Sequence, residues 1–351
     1  MSILILGIET SCDETSAAVV ADGSTVLSNV VASQVEIHQR FGGVVPEVAS
    51  RQHIEVLNPV IKTALAEAGA GYDNLDAVAV TQGPGLLGSL LVGLMAAKSL
   101  AFALNIPLVA VNHIEAHIYA NFLETPEVPF PFVALVVSGG HTDLVYATGH
   151  SEFALVGQTR DDAAGESFDK VARALGLGYP GGPPIERLAR EGDPTAVPLP
   201  QALLEENTFD TSFSGLKTAV VNYVNRIRQK GEAVNLANLA ASFQAAVAEV
   251  LVTKSFSAAS AYGTETILLA GGVAANGFIR NRFSEEAARR KMRLFIPPPA
   301  LCTDNAAMVA AAGYHHFLRG DFAPLTINAE ASLTLRSSKF KVQGSTCNVP
   351  T

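Results

Sequence analysis

The stretch NHIEAHIYANF, from Asn112 to Phe122, sets His113 and His117 four residues apart with Glu115 between them. On a helix, residues at i and i+4 lie one above the other, with β-carbons about 6 Å apart. Two imidazoles so placed can converge on one metal ion at about 2.0–2.1 Å each. An amphipathic helix that happens to carry two histidines would show the same spacing. The metal reading gains from the apolar run IPLVAVN (Ile106–Asn112) just before it, because ligands in α/β folds commonly sit where a strand gives way to a helix. Glu115 lies two steps of about 100° from each histidine, so on a helix it points away from the metal face. In the metalloprotease pattern, by contrast, Glu directly follows the first His. A third ligand must come from elsewhere. In CTDNAAM (Cys302–Met308), Asp304 opens the last helix. It is either an N-cap, a role Thr303 could fill equally, or the missing carboxylate of a two-histidine, one-carboxylate site.

Other polar stretches suit a nucleotide. ETSCDETS (Glu9–Ser16) crowds Glu9, Asp13 and Glu14 with four hydroxyls into one turn. It is either a solvated surface turn or one side of a phosphate-handling jaw, with SGGHT (Ser138–Thr142) as the other side across an interdomain cleft. There glycine amides would approach the anion and hydroxyls would donate to it. LLAGGVAANGFIRNRF (Leu268–Phe283) reads as strand, Gly-Gly turn and helix, against which a purine could lie flat while Asn276 offers amide bonds to ribose or base. DDAAGESFDKVAR spreads Asp161, Asp162, Glu166 and Asp169 around a helix. Most of these read as a solvated face and N-terminal charge. Asp169, taken with the glycine-rich loop GYPGGPP (Gly178–Pro184), reads as a carboxylate for ribose hydroxyls.

The elements that must position these residues occur twice. Ile3–Ile8, Ser16–Ala21 and Thr25–Ala32 read as three strands, with Asp22-Gly23 as a hairpin turn. A looser stretch, His38–His53, leads into a helix to about Ala68. Asp76–Thr81 is a buried strand, GPGLLGS (Gly83–Ser89) opens the helix Leu90–Leu104, and Ile106–Val111 is the next strand. After the hinge-like ETPEVPFP (Glu124–Pro131), strands at Phe132–Val137, His141–Ala147 and Phe153–Gln158 repeat the βββ pattern. Helices follow at Asp161–Leu177, in an insertion to about Gly231 and at Ala233–Ala261, then strands at Thr266–Ala270 and Leu294–Pro297, and a helix at Asp304–Leu318. The expected organisation is a first lobe over 1–123 and a second over 132–303 with a helical insertion. A C-terminal segment, 304–335, packs back towards the first lobe, and a polar tail, 336–351, is disordered.

Composition sets outer limits. With 351 residues, 16% charged and 48% apolar, the chain has material for two domains or one large α/β unit. No uninterrupted apolar run approaches the ~20 residues of a membrane span. MSILILGIETSCDE reads as a first strand and not a signal peptide. Cys12, Cys302 and Cys347 are odd in number and scattered, which argues against a disulfide framework. A cytoplasmic chain is expected. The net charge of −9 argues against broad nucleic-acid binding by the chain alone. A nucleic-acid substrate would need a local patch or a partner, and the dense basic cluster is Arg280, Arg282, Arg289, Arg290, Lys291 and Arg293.

ETSCDETS, GGVVPE, QGPGLLGSL, NHIEAH, SGGHT, ESFDKVAR, GYPGGP, FDTSFSGLKTA, GGVAANG and CTDNAAM together resemble the universal tRNA threonylcarbamoyladenosine transferase family, formerly labelled O-sialoglycoprotein endopeptidase. The resemblance covers residues 3 to about 330. It implies a duplicated α/β fold of the actin, sugar-kinase and heat-shock-protein ATPase type, with two lobes and a central cleft. It also implies transfer of a threonylcarbamoyl group from threonylcarbamoyl-AMP to the adenosine beside the anticodon of ANN-decoding tRNAs, with release of AMP. Carried onto this chain, the metal ligands become His113, His117 and Asp304, with Fe(2+) the usual metal and Zn(2+) an alternative. The adenylate contacts become Val136, Val137, Ser138, Gly139, Gly140, Asp169, Gly182 and Asn276. Where many relatives carry Asp this chain has Glu186, whose longer carboxylate could still reach a ribose. Asp13 or Glu14 is the candidate general base, because an adenine amine is weakly basic. Expected protein partners, as in bacteria, are an inactive paralogue and a small ATPase. Two rival readings are a small-molecule kinase of the same fold and a metalloprotease using Glu115 as base. His117 is expected to be an exposed ligand whose loss leaves the fold intact.

Overall fold

The computed structural model describes residues 2–123, 125, 127–204 and 208–335. The tail 336–351, with Cys347, lies outside the described residues, as do Glu124 and Pro126 of the hinge-like stretch. The chain divides into two compact units, Met1–Val128 with Pro297–Arg336, and Pro129–Ile296.

The first unit begins with β1 (Leu4–Glu9), β2 (Glu14–Ala21), β3 (Thr25–Ser33), α1 (Val35–Gln39), α2 (Pro46–Glu67), β4 (Ala77–Gly83), α3 (Leu87–Leu104), β5 (Leu108–Asn112) and α4 (His113–Tyr119). The second comprises β6 (Phe132–Val137), β7 (Thr142–Gly149), β8 (Glu152–Gln158), α5 (Ala164–Leu175), α6 (Gly182–Ala189), α7 (Ser214–Gln229), α8 (Leu236–Ala261), β9 (Thr266–Ala270), α9 (Gly277–Arg290) and β10 (Arg293–Phe295). The chain then returns to the first unit with α10 (Pro299–Cys302) and α11 (Ala306–Arg319).

The two sheets have one topology. The first runs β3-β2-β1-β4-β5 and the second β10-β9-β6-β7-β8, so read from its other edge it repeats the first. In each, three antiparallel strands precede two parallel ones, with Ile5 opposite Val20 and Ala77, and Leu135 opposite Leu144 and Leu269. The hairpin at Asp22-Gly23 forms as its residue types demand, both residues adopting positive φ, 51° and 72°. Central strands β1 and β6 are near-continuous apolar runs because both faces are covered, whereas the edge strand β3 alternates towards solvent.

One face of the first sheet packs on α2 and α3 around Leu6, Ile8, Val78, Val80, Leu57, Ile61 and Leu94. Each such side chain, fully buried, contributes about 1.5–3 kcal/mol. On the other face α11, rich in alanine, lies so close to β1 that a β-carbon on Gly7 would sit 2.2 Å from the Ala306 carbonyl. Any larger residue at position 7 would push that helix away. By length and apolar composition α3 and α8 would each pass as a membrane span, but 67% of the α8 window is buried as the core helix of the second unit.

Helix starts differ from the sequence reading; α8 begins at Leu236 and α11 at Ala306, three and two residues late. Helix α3 begins at Leu87, three residues early. Helix α5 begins only at Ala164, so Asp161 and Asp162 precede it. Asp161 is not a plain solvated charge: its carboxylate accepts from Phe213 and Ser214 N–H and from the Ser212 and Ser214 hydroxyls, which ties down the start of α7.

Candidate active site

Strand β5 hands directly to α4. The Asn112 side chain caps that helix, accepting from Ile114 N–H at 2.8 Å and Glu115 N–H at 3.3 Å. His113 and His117 therefore occupy the first two turns on one face, with ring centroids 4.6 Å apart. Asp304 reaches them from the segment between α10 and α11, its Oδ1 lying 3.1 Å from His117 Nε2 and 3.6 Å from His113 Nε2. The cap of α11 is Asn305, which accepts from Met308 N–H, so the Asp304 carboxylate is directed to the histidines and is not a cap.

Donors about 2.0–2.2 Å from one tetrahedral ion lie about 3.3–3.6 Å from one another. The three ligand atoms, all within 4.8 Å of each other, suit such an ion. Both ring nitrogens of His117 are buried without a hydrogen bond; its Nε2 is close to Asp304 but not in hydrogen-bonding alignment. A buried imidazole left so is costly unless a cation takes its lone pair, and the residues present fit a divalent metal. His117 is fully buried, not the exposed ligand expected from sequence. Helix α11 packs against α4, the helix that carries it.

Glu9, at the end of β1, is the residue that sequence reasoning assigned to a phosphate turn and that here serves the histidines. Its Oε2 is 3.0 Å from His113 Nδ1 and accepts from the Thr81 hydroxyl at 2.7 Å, while Oε1 accepts from Ser11 N–H. A carboxylate on Nδ1 holds the proton there and leaves Nε2 to bind metal. Burial disfavours ionisation of Glu9, but attraction to His113 and their hydrogen bond outweigh it and hold the carboxyl below its usual range. Burial would likewise depress His113, yet Glu9 and Asp304 push it up to about 9. The sequence signal for this role is an acid at the C-terminal end of a central strand.

The turn after Glu9 carries Asp13 and Glu14. Burial raises the Asp13 carboxyl and Asp304 adds to the rise, while Cys12 and His38 oppose it. Burial first and Asp13 next push Glu14 up to about 8, although Ser33 donates to its Oε1 at 3.0 Å. Beneath the turn, His53 Nε2 donates to the Cys12 carbonyl at 2.9 Å, and Nδ1 accepts from the Thr15 hydroxyl at 2.7 Å. That tautomer keeps the ring neutral, and burial depresses its pKa in the same sense. Glu115, on the far side of α4, pairs with His316 Nε2 of α11 at 3.1 Å and so fastens together the two elements that flank the candidate metal ligands.

The remaining candidates converge within the second unit. Val136 and Val137 are buried in β6, so only their backbone could face a ligand. In the turn that follows, the Ser138 hydroxyl accepts from His141 N–H at 3.2 Å. A β-carbon on Gly165 would sit 2.5 Å from the Ser138 carbonyl, and one on Gly271 2.4 Å from the Val137 carbonyl. Those two glycines let α5 and the β9–α9 turn close on the Ser138 turn. Gly139, Gly140, Gly182 and Gly272, by contrast, have open space where a side chain would be. Asp169 accepts from Gly181 N–H at 2.7 Å, and Glu186 from Gly277 N–H at 3.2 Å while pairing with Arg190. Asn276 caps α9 through Ile279 N–H and donates to Gln244 at 2.8 Å. Within the basic cluster, Arg282 pairs with Glu249 and Glu285, and Arg289 and Arg290 both pair with Glu286.

Two five-stranded sheets of one topology, each with its helices, make this an actin-like ATPase fold, and one unit holds a histidine–carboxylate centre suited to a metal. Solved structures share the architecture. Full-length HypF, in its phosphate- and nucleotide-bound form, superposes with a TM-score of 0.59 at 13% identity, over 90% of this chain and 55% of that one. The (R)-2-hydroxyglutaryl-CoA dehydratase component A of Acidaminococcus fermentans gives 0.51 at 14%, over 89% and 98%. At such identities the likeness is one of fold alone, and this chain spans about half the length of HypF. The chain belongs to the tRNA N6-adenosine threonylcarbamoyltransferase family, whose model matches residues 25–311. The enzyme of that name from Moorella thermoacetica is 59% identical over 331 residues, 94% of this chain and 97% of its own. That from Symbiobacterium thermophilum is 59% identical over 332 residues, 95% and 97%.

Proposed function

We propose that this chain moves the threonylcarbamoyl group of threonylcarbamoyl-AMP to the exocyclic amine of the adenosine beside the anticodon in ANN-decoding tRNAs, in the cytoplasm. The observation that carries the reading is the Glu9-oriented histidine pair facing Asp304, within a chain of this family. The amine nitrogen bonds to the carbamoyl carbon, the bond from that carbon to the phosphate oxygen breaks, and AMP leaves with the bonding pair. The proton shed by the amine goes to Asp13. Glu14, pushed up to about 8, is mostly protonated at neutral pH and is the poorer base.

Holding the adenylate falls to the second unit. The Ser138–Gly140 turn offers the Gly139 N–H to phosphate, the Ser138 and Gly140 N–H groups being spent within the turn. Gly182 and Gly272 leave room for the nucleoside, and Asp169 and Glu186 face its ribose. Asn276 keeps one N–H beyond its two internal bonds. His113, His117 and Asp304 would hold a divalent metal, Fe(2+) in this reading with Zn(2+) fitting the same donors, which when bound supplies Lewis-acid stabilisation of developing negative charge. Glu115, committed to His316, is badly placed to be a protease base. An inactive paralogue and a small ATPase are the expected protein partners.

The test is incubation of the protein and its partners with purified threonylcarbamoyl-AMP and tRNA. Modified adenosine and AMP should appear together, and Asp169→Ala should weaken adenylate binding by about 1.5–3 kcal/mol with metal content unchanged. Unmodified tRNA, or glycopeptide cleavage that Glu115→Gln alone abolishes, would overturn the transferase reading.

A further inference from the structure

Arg282, Arg289 and Arg290 of the α9 cluster are paired to glutamates, and a separate group of exposed cations lies on α7 in the second unit. The segment Ser212–Lys230, which contains α7, has no Asp or Glu, although acids outnumber bases in the whole chain, 33 to 24. Its apolar side, Leu216, Val220 and Val224, is buried towards α5 and α8. At about 100° per residue, Asn222 and Asn225 point directly away from that buried side. Lys217 and Arg228 project along one flank of this ridge and Arg226 and Lys230 along the other, and all six residues are exposed. Among the described residues none of the four cations pairs with a carboxylate; Arg226 instead lies 5.4 Å over the Tyr223 ring. A row of amides flanked on both sides by unpaired cations suits a phosphodiester backbone, which takes charge contacts from Lys and Arg and hydrogen bonds from Asn.

We propose that the outer face of α7 is a docking surface for the phosphate backbone of the substrate tRNA. This rests on the transferase reading. The helix is firmly mounted. Asp161, just before α5, anchors its first turn through Phe213 and Ser214, and α5 carries Asp169. RNA held on α7 is therefore held by the unit that carries the adenylate-binding candidates.

The experiment compares Arg226→Gln/Arg228→Gln with Arg289→Gln/Arg290→Gln in the full protein with its partners. Both pairs remove the same formal charge, but only the first removes cations not already matched to a glutamate. The α7 pair should raise the KM for tRNA about tenfold and reduce the salt slope of tRNA binding by about 1–2, with threonylcarbamoyl-AMP binding and melting temperature as in wild type. The α9 pair should change KM by less than about twofold. A photo-crosslinking residue in place of Asn225 should label tRNA. Equal effects of the two pairs, or crosslinks to a partner protein in place of tRNA, would overturn the docking proposal. Wild-type protein that leaves tRNA unmodified would instead overturn the transferase reading.

Discussion

Glu9→Gln tests the arrangement of the candidate metal centre most sharply, because it changes one atom of a side chain that touches no solvent. The carboxylate faces three donors: Ser11 N–H at Oε1, and the Thr81 hydroxyl and His113 Nδ1–H at Oε2. Ser11 N–H is fixed by the backbone, so the oxygen of glutamine must stay there and the amide NH2 must take the other position. It then faces His113 Nδ1, which can accept only by moving its proton to Nε2, the atom 3.6 Å from Asp304. The imidazole is held in the tautomer that cannot bind metal. Loss of such an orienting carboxylate costs about 10–100-fold in metal affinity, or about 1.4–2.7 kcal/mol. Competition against a chromophoric chelator, with zinc or cobalt as the probe ion, measures it directly. In the metal-free protein the same change should bring His113 down from about 9, because its largest attraction to a carboxylate is gone. Affinity within twofold of wild type would refute the tautomer argument.

The other predictions concern stability. Glu14 holds a proton in the folded state up to about pH 8 but loses it near 4.5 when unfolded, so its contribution to stability falls as pH rises between those values. Glu14→Gln, which mimics the protonated form, should stabilise the protein by about 1–2 kcal/mol at pH 7, discounted for partial exposure, and leave it unchanged below pH 4.5; melting curves at the two pH values decide. His117→Ala should lose metal and also destabilise the metal-free protein by about 1–3 kcal/mol, because the ring is fully buried against His113. Urea denaturation in the presence of chelator at wild-type stability would show that the pocket tolerates the cavity.

Features legible in the sequence are those carried by short stretches. The doubled βββ unit shows in apolar runs punctuated by turn residues, and Asp22-Gly23 announces its own positive φ angles. The histidine pair is legible because helical spacing alone puts both rings on one face. What the sequence hides depends on residues far apart in the chain. Thr303 or Asp304 could cap α11 equally well on local grounds, yet Asn305 takes that role and Asp304 turns to the two histidines. Glu9 reads as one more acid in a polar turn until Thr81 and His113 close around it from β4 and α4. Arg282 looks unpartnered across helices because Glu249, on α8, is not visible beside it, whereas the Glu286 that meets Arg289 and Arg290 stands in the same helix at readable i,i+3 and i,i+4 spacing.

Helix α11 is the last of the described helices, yet it packs on β1, the first strand, and Ala306 N–H donates to the hydroxyl of Ser16, 290 residues earlier. During synthesis β1 leaves the ribosome long before its covering helix exists. The second unit, a continuous segment inserted between the two parts of the first, can finish folding on its own in that interval. The first unit must wait with one face of its sheet bare. A nascent chain that stops short of Asp304 holds both histidines and Glu9 but lacks the third donor. Assembly of the candidate donor set is thereby tied to synthesis past Asp304, since a shorter chain lacks the carboxylate.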